Sequence, residues 1–149
     1  MNDAEKLLHI YAEFNWDDYI EISTKLVVIN RHSIDAELEK LPGQYAKWSG
    51  LLSVAEKEVK RARTELEQYV AVTRQEETEH RASSGLKATD KYLESYVLSQ
   101  LEYKEHQDRL TAVKFKYNLL KDLVSALSVK KDTLIQLSAN SRAETKIYN

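Results

Sequence analysis

The chain is 149 residues long, 17.3 kDa, with 22 Lys and Arg against 24 Asp and Glu and a formal net charge of −2. Three glycines and one proline are too few for the frequent turns of a sandwich or barrel, and the isolated Gly43, Gly50 and Gly85 make no phosphate-cradling loop. The absence of cysteine excludes a disulfide framework, a thiol nucleophile and any cysteine-based zinc site, while 31% charged and 42% hydrophobic residues suit amphipathic helices.

Residues 1–30 read as an N-terminal arm of short helices. Ala4 to Phe14 carries Leu7, Leu8, Tyr11 and Phe14 on one helical stripe. Asn15-Trp16-Asp17-Asp18 then supplies a break and acidic caps for a second short helix bearing Ile22, Leu26 and Ile29. Stripes this short are unstable alone, so both segments must dock on something.

Residues 31–149 read as a helical hairpin that also mediates oligomerisation. Ser33 caps a helix from Ile34 to about Lys40, and Pro42 disfavours helix at Leu41 while suiting the first turn of a new one. From Pro42 to about Ala82 the apolar positions are Tyr45, Trp48, Leu52, Ala55, Val59, Ala62, Leu66 and Tyr69, alternating three and four apart as in a coiled-coil heptad. Ser83-Ser84-Gly85 forms a turn, and Thr89-Asp90 starts a helix with Tyr92 or Leu93, Tyr96, Val97 and Leu101.

The last long helix, about Tyr103 to Arg142, repeats the alternation at Leu110, Val113, Tyr117, Leu120, Val124, Leu127, Lys131 and Leu134. Ala112, Phe115, Leu119, Leu123 and Ala126 widen that face. The predicted fold class is therefore all-α: a long antiparallel hairpin, each arm roughly 60 Å, plus short N-terminal helices. Two helices cannot cover so wide a stripe; the short helices can cover part of it, and the row Leu110, Val113, Tyr117, Leu120, Val124, Leu127 and Leu134 is assigned to subunit contacts in a homo-oligomer.

The longest aliphatic run, Leu26 to Ile29, is far short of a membrane span, and the acidic start resembles no signal peptide. The expectation is no membrane association and residence in the cytoplasm. Charge is graded along the chain: residues 1–40 hold four basic and nine acidic residues, and residues 109–149 eight basic and three acidic. An acidic head and a basic tail can pair within a chain, between subunits or with separate partners.

Catalytic chemistry finds little purchase. His9, His32, His80 and His106 are scattered with no metal-ligand spacing, so neither a metal nor a cofactor is expected. The carboxylate runs, such as Glu102, Glu105 and Asp108, read as solvated helix faces with i+4 partners such as Glu105 to Arg109. No GxSxG or SxxK occurs, and the chain is read as not an enzyme.

The most suggestive cluster is Glu56-Lys57-Glu58-Val59-Lys60-Arg61-Ala62-Arg63. On a helix Lys57, Lys60 and Arg61 share one face, Arg63 adjoins them, and Val59 and Ala62 point to the seam. Clustered cations repel unless something negative offsets them, and phosphates would do so. The plain alternative is a solvated face neutralised by Glu56, Glu58, Glu65 and Glu67. Among the aromatics, Tyr45, Trp48, Tyr69 and Tyr117 fall on the stripes and read as core, whereas Tyr19, Tyr92 and Tyr148 are freer to stack on bases.

Three stretches together carry a family resemblance: Ile34 to Trp48 (IDAELEKLPGQYAKW), the charged helix with Lys60-Arg61-Ala62-Arg63, and Lys130 to Glu144 (KKDTLIQLSANSRAE). The pattern resembles the UvsY-like recombination mediators of tailed bacteriophages over roughly residues 20–146, with the C-terminal stretch the most specific; Ser138 stands where many relatives carry Gly. The resemblance implies a small helical protein that forms a hexamer or heptamer in the host cell cytoplasm. It also implies binding of single-stranded DNA and help in loading a phage RecA-like recombinase onto DNA coated by the phage single-strand binding protein. It places DNA contact on Lys60, Arg61 and Arg63, with Lys57 one turn earlier, and assembly on the C-terminal helix. The alternative is a structural coiled-coil, scaffold or chaperone-like phage protein acting only through protein contacts.

Overall fold

The structure, a computed structural model, describes all residues from Met1 to Asn149. It is wholly helical: α1 (Asp3–Glu13), a 3-10 turn (Trp16–Asp18), α2 (Tyr19–Val27), α3 (Ile34–Ser83), α4 (Asp90–Leu98) and α5 (Leu101–Tyr148). No helix is long and apolar enough to cross a membrane. The chain divides into two compact units, Met1–Val54 with Asn118–Asn149, and Ala55–Tyr117. The long helices α3 and α5 contribute to both.

In the first unit the arm docks through aromatic rings and a few buried polar contacts. The Asn2 side chain accepts the Glu5 N–H at 2.8 Å while the Glu5 carboxylate accepts the Asn2 N–H at 2.7 Å, a capping box that starts α1. After α1 the Asn15 side chain accepts the Asp17 N–H and turns the chain into α2. Phe14 packs edge-on against Trp16 at 4.8 Å and against buried Trp48 of α3 at 5.8 Å. Gly50 opens the space for this docking, because a Cβ there would lie 2.9 Å from both methyls of Leu7. Farther along, the Tyr19 hydroxyl donates to the Leu119 carbonyl of α5 at 2.6 Å.

The arm ends on a buried ion pair. Lys130 of α5 is only 6% exposed, and its ammonium donates to the Leu26 carbonyl at 2.8 Å and to Glu37 Oε1 at 3.2 Å. The other oxygen of Glu37 accepts the Asn30 N–H at 2.9 Å. One contact set thus fastens the end of α2, the first turn of α3 and the middle of α5.

Two expectations about this region are corrected. The helix boundary at Pro42 does not exist, since α3 runs through it. An internal proline costs about 3 kcal/mol through its missing N–H and its clash with the preceding turn. Here Pro42 itself faces solvent, while Leu41 beside it and Trp48 beyond it are buried at 3% and 4%, which holds the turns on both sides against the same core. The stripe position given to Lys131 belongs to Lys130, three residues after Leu127, and Lys131 is exposed. Only the lysine that meets a carboxylate and a carbonyl is taken inside.

In the second unit α3 ends in a Schellman turn: Leu86 N–H donates to the Arg81 carbonyl, Gly85 N–H to the Ala82 carbonyl, and Gly85 takes φ of 72°. Thr89 caps α4, which buries Leu93 and Val97. The core pairs Val59 and Ala62 of α3 with Leu110 of α5, flanked by Leu66, Val113 and Tyr117. Glu65 meets Arg109 and Tyr69 meets the His106 ring at 5.0 Å, so α3 climbs as α5 descends and the pair is antiparallel. At the turn end the Tyr92 hydroxyl donates to buried Glu77 at 2.7 Å, and Arg81 lies 3.9 Å from the Tyr92 ring centre.

Two predictions follow from the first unit. Glu37→Leu leaves the buried ammonium with the Leu26 carbonyl as its one partner, and urea unfolding should show a loss of about 3 kcal/mol, most of it recovered when Lys130→Met is added. Burial first, and the Asp122 carboxylate second, hold the Tyr19 phenol above its ordinary pKa of 10.0. A pKa raised by folding stabilises fully below the unfolded value and loses that contribution as pH rises through the folded one. Thermal melts should therefore fall more steeply above pH 10 in the wild type than in Tyr19→Phe.

Candidate nucleic-acid interface

The four cations singled out from the sequence stand in the second unit, on the stretch of α3 just after Ala55. Lys57, Lys60, Arg61 and Arg63 are all exposed, while Val59 and Ala62 between them are 8% and 3% exposed. The helical period does this: the apolar positions three apart anchor the seam, and everything between them points outward.

Carboxylates hold two of the four. Lys60 lies 3.7 Å from Glu56, and Arg61 lies 3.2 Å from Glu65, each four residues away along the helix. Both pairs are solvent-exposed and weak, within about 1 kcal/mol, so a phosphate can compete for either cation. Lys57 and Arg63 stand outside the ion pairs of this face.

The fold adds a fifth cation. Arg109 of α5 reaches Glu65 Oε2 at 2.9 Å, so Glu65 sits between two guanidiniums. The expected i+4 partner of Arg109, Glu105, is not the one it takes. The sequence offers Arg109 as a basic residue of the C-terminal helix, a partner for Glu105 and, with Lys130, a further DNA contact; its place beside Arg61 depends on the pairing of α3 with α5. Lys130, by contrast, leaves the surface for the buried pair with Glu37.

The row assigned to assembly lies largely inside the chain's own fold. Leu110, Leu120, Leu127 and Leu134 are 7%, 1%, 0% and 0% exposed, and Val113, Tyr117 and Val124 are half-buried. Leu123, placed in the second row, is more deeply buried than Val124. The large apolar side chains that α5 leaves outside are Phe115, Val129 and Ile135, with Leu101 at its start and Ile147 and Tyr148 at its end.

No group of three or more acidic or histidine side chains gathers with metal-binding geometry. His9, His32 and His80 are exposed, and His106 packs half-buried on Tyr69. No protein family, curated protein or solved structure matches this chain.

Neutralising Glu65 tests the electrostatics of this face. Glu65→Gln removes the carboxylate shared by Arg61 and Arg109 and keeps a good helix former. Fluorescence anisotropy should show oligo-dT binding tightened about fivefold near 0.1 M salt, the value for one additional phosphate contact on a single strand.

Proposed function

We propose that this chain is a single-stranded DNA-binding recombination mediator that works as a homo-oligomer. The observation that carries the reading is the outward row of Lys57, Lys60, Arg61 and Arg63, joined by Arg109 from the neighbouring helix. The resemblance of the three stretches to UvsY-like mediators supports it. The site has no catalytic step to perform. It neutralises phosphates, and an oligomer multiplies a weak patch into many contacts along one strand. A strand held this way is drawn from the single-strand binding protein and presented to a RecA-like recombinase.

The exposed apolar side chains of α5 support assembly. They also point its interface away from Leu120 and Leu127, which are core and where carboxylates should unfold the chain, toward Phe115 and Val129, each 64% exposed. The rival reading, a structural coiled-coil or scaffold component, draws support from the carboxylates that already hold Lys60 and Arg61.

Titration of labelled oligo-dT across a salt series decides between them. The wild type should bind without strong sequence preference, with a log–log slope of about −0.7 per phosphate contacted. Lys60→Ala/Arg61→Ala/Arg63→Ala should weaken binding and flatten the slope with helicity intact; an unbound wild type would leave the structural reading. Light scattering should give six or seven times the 17.3 kDa chain mass, and Phe115→Asp/Val129→Asp should lower it without unfolding the chain. A wild-type mass of 17.3 kDa at every concentration would defeat assembly.

A further inference from the structure

The first unit carries a groove that the patch on α3 does not use. Its basic end is an open cavity of about 580 Å³ at the start of α3, lined by Arg31, His32, Asp35, Ser138, Ser141 and Arg142 among others. The Arg142 guanidinium is set in place by its own helix, with Nε donating to the Ser138 carbonyl at 3.3 Å and Nη2 to the Ser138 hydroxyl at 3.4 Å. Arg31 and Arg142 are exposed, and neither takes part in an ion pair. Asp35 is the only carboxylate on the wall, so the two guanidiniums outweigh it, and the His32 imidazole and three serine hydroxyls add polar groups.

A second cavity, about 300 Å³, is lined by Leu38, Leu41, Pro42, Tyr45 and Lys131. The two cavities follow one another along the same pair of helix faces, and together they are treated as one groove. Ile34, Leu38, Leu41 and Tyr45 recur at four, three and four residues along α3, and Lys131, Ser138 and Arg142 at seven and four along α5, so each set forms one helix face. From Ile34 to Tyr45 is 11 residues, roughly 16 Å of helix. Tyr45 was read from its spacing as core, yet it is 41% exposed beside the flat ring of Pro42, with the ammonium of Lys131 at the rim. Cations at one end and an exposed aromatic face at the other are the two elements with which proteins hold a single strand.

We infer that this groove is a second binding site for single-stranded nucleic acid, with a backbone phosphate between Arg31 and Arg142 and a base a few nucleotides along stacked on Tyr45. The inference rests on the single-strand reading proposed above, but on different residues. It predicts that the two ends answer to different parts of the strand. The arginines see phosphate and are indifferent to the base. Tyr45 sees the base and is indifferent to charge.

The test uses the full chain, oligo-dT, and an abasic oligonucleotide of the same length. Arg31→Ala/Arg142→Ala should weaken both probes severalfold and reduce the salt slope by about 0.7 to 1.4, for one or two phosphates. Tyr45→Ala should weaken oligo-dT and leave abasic binding and the salt slope unchanged. All three side chains are exposed, so circular dichroism should show that the variants keep their helices. If both variants bind both probes as the wild type does while Lys60→Ala/Arg61→Ala/Arg63→Ala loses affinity, the groove is refuted and the α3 patch stands. If the triple variant binds normally and the groove variants do not, the groove stands and the patch falls. A wild type that binds neither probe overturns both.

Discussion

The first unit depends on one buried cation. Lys130 sits in the apolar row of α5, where a charge is tolerated only with partners, and it has two: the Glu37 carboxylate and the Leu26 carbonyl. Those partners come from different elements. The ammonium therefore fixes the register of α3 against α5 there and ties down the end of the arm in the same contact. A slip of one turn along either helix would carry the carboxylate away from it and leave the charge among leucines. A ladder of similar apolar residues tolerates slippage; one lysine within it does not. The pair's main effect is accordingly on register, since the desolvation of two charged groups offsets much of their attraction.

What the sequence made legible was whatever obeys a local rule. The break at Asn15, the cap at Thr89 and the turn at Gly85 each rest on one or two residues acting on their own backbone, and all three stand where expected. The apolar periodicity placed Val59 and Ala62 inward and the four cations outward. Pro42 was misread because its local penalty is real but smaller than the packing on either side of it. Lys130 was misread because a strict heptad cannot choose between adjacent lysines; the choice is made by Glu37, 93 residues away in the chain. Arg109 beside Arg61 is another product of pairing, with no mark in either helix alone.

The same distinction explains why the α5 stripe read as a subunit interface. Counting apolar positions reveals how much surface must be covered but not by what. The arm supplied more cover than its short helices suggested, through the rings of Phe14 and Trp16 and through Leu7 closing on Gly50. What α5 leaves exposed in its middle is a sparser set of apolar side chains led by Phe115 and Val129.

Charge completes the argument. An acidic head and a basic tail raised the question of whether the two neutralise each other. They meet at one buried point, Glu37 with Lys130, and the other tail cation with a cross-helix partner, Arg109, pairs with Glu65, outside the head. Arg31 and Arg142 come from head and tail respectively and face one cavity together, where pairing of opposite charges would have filled it. Lys131 reaches only the neighbouring Asp132, at 3.9 Å. The tail's surplus is thus not absorbed by the head. A protein of net charge −2 can still carry a local surplus of positive charge, as it does from residue 109 onward, where eight basic residues face three acidic ones. Sequence-independent binding of a polyanion needs only that local surplus, and its strength is set by the number of cations facing one strand rather than by the sum over the whole molecule.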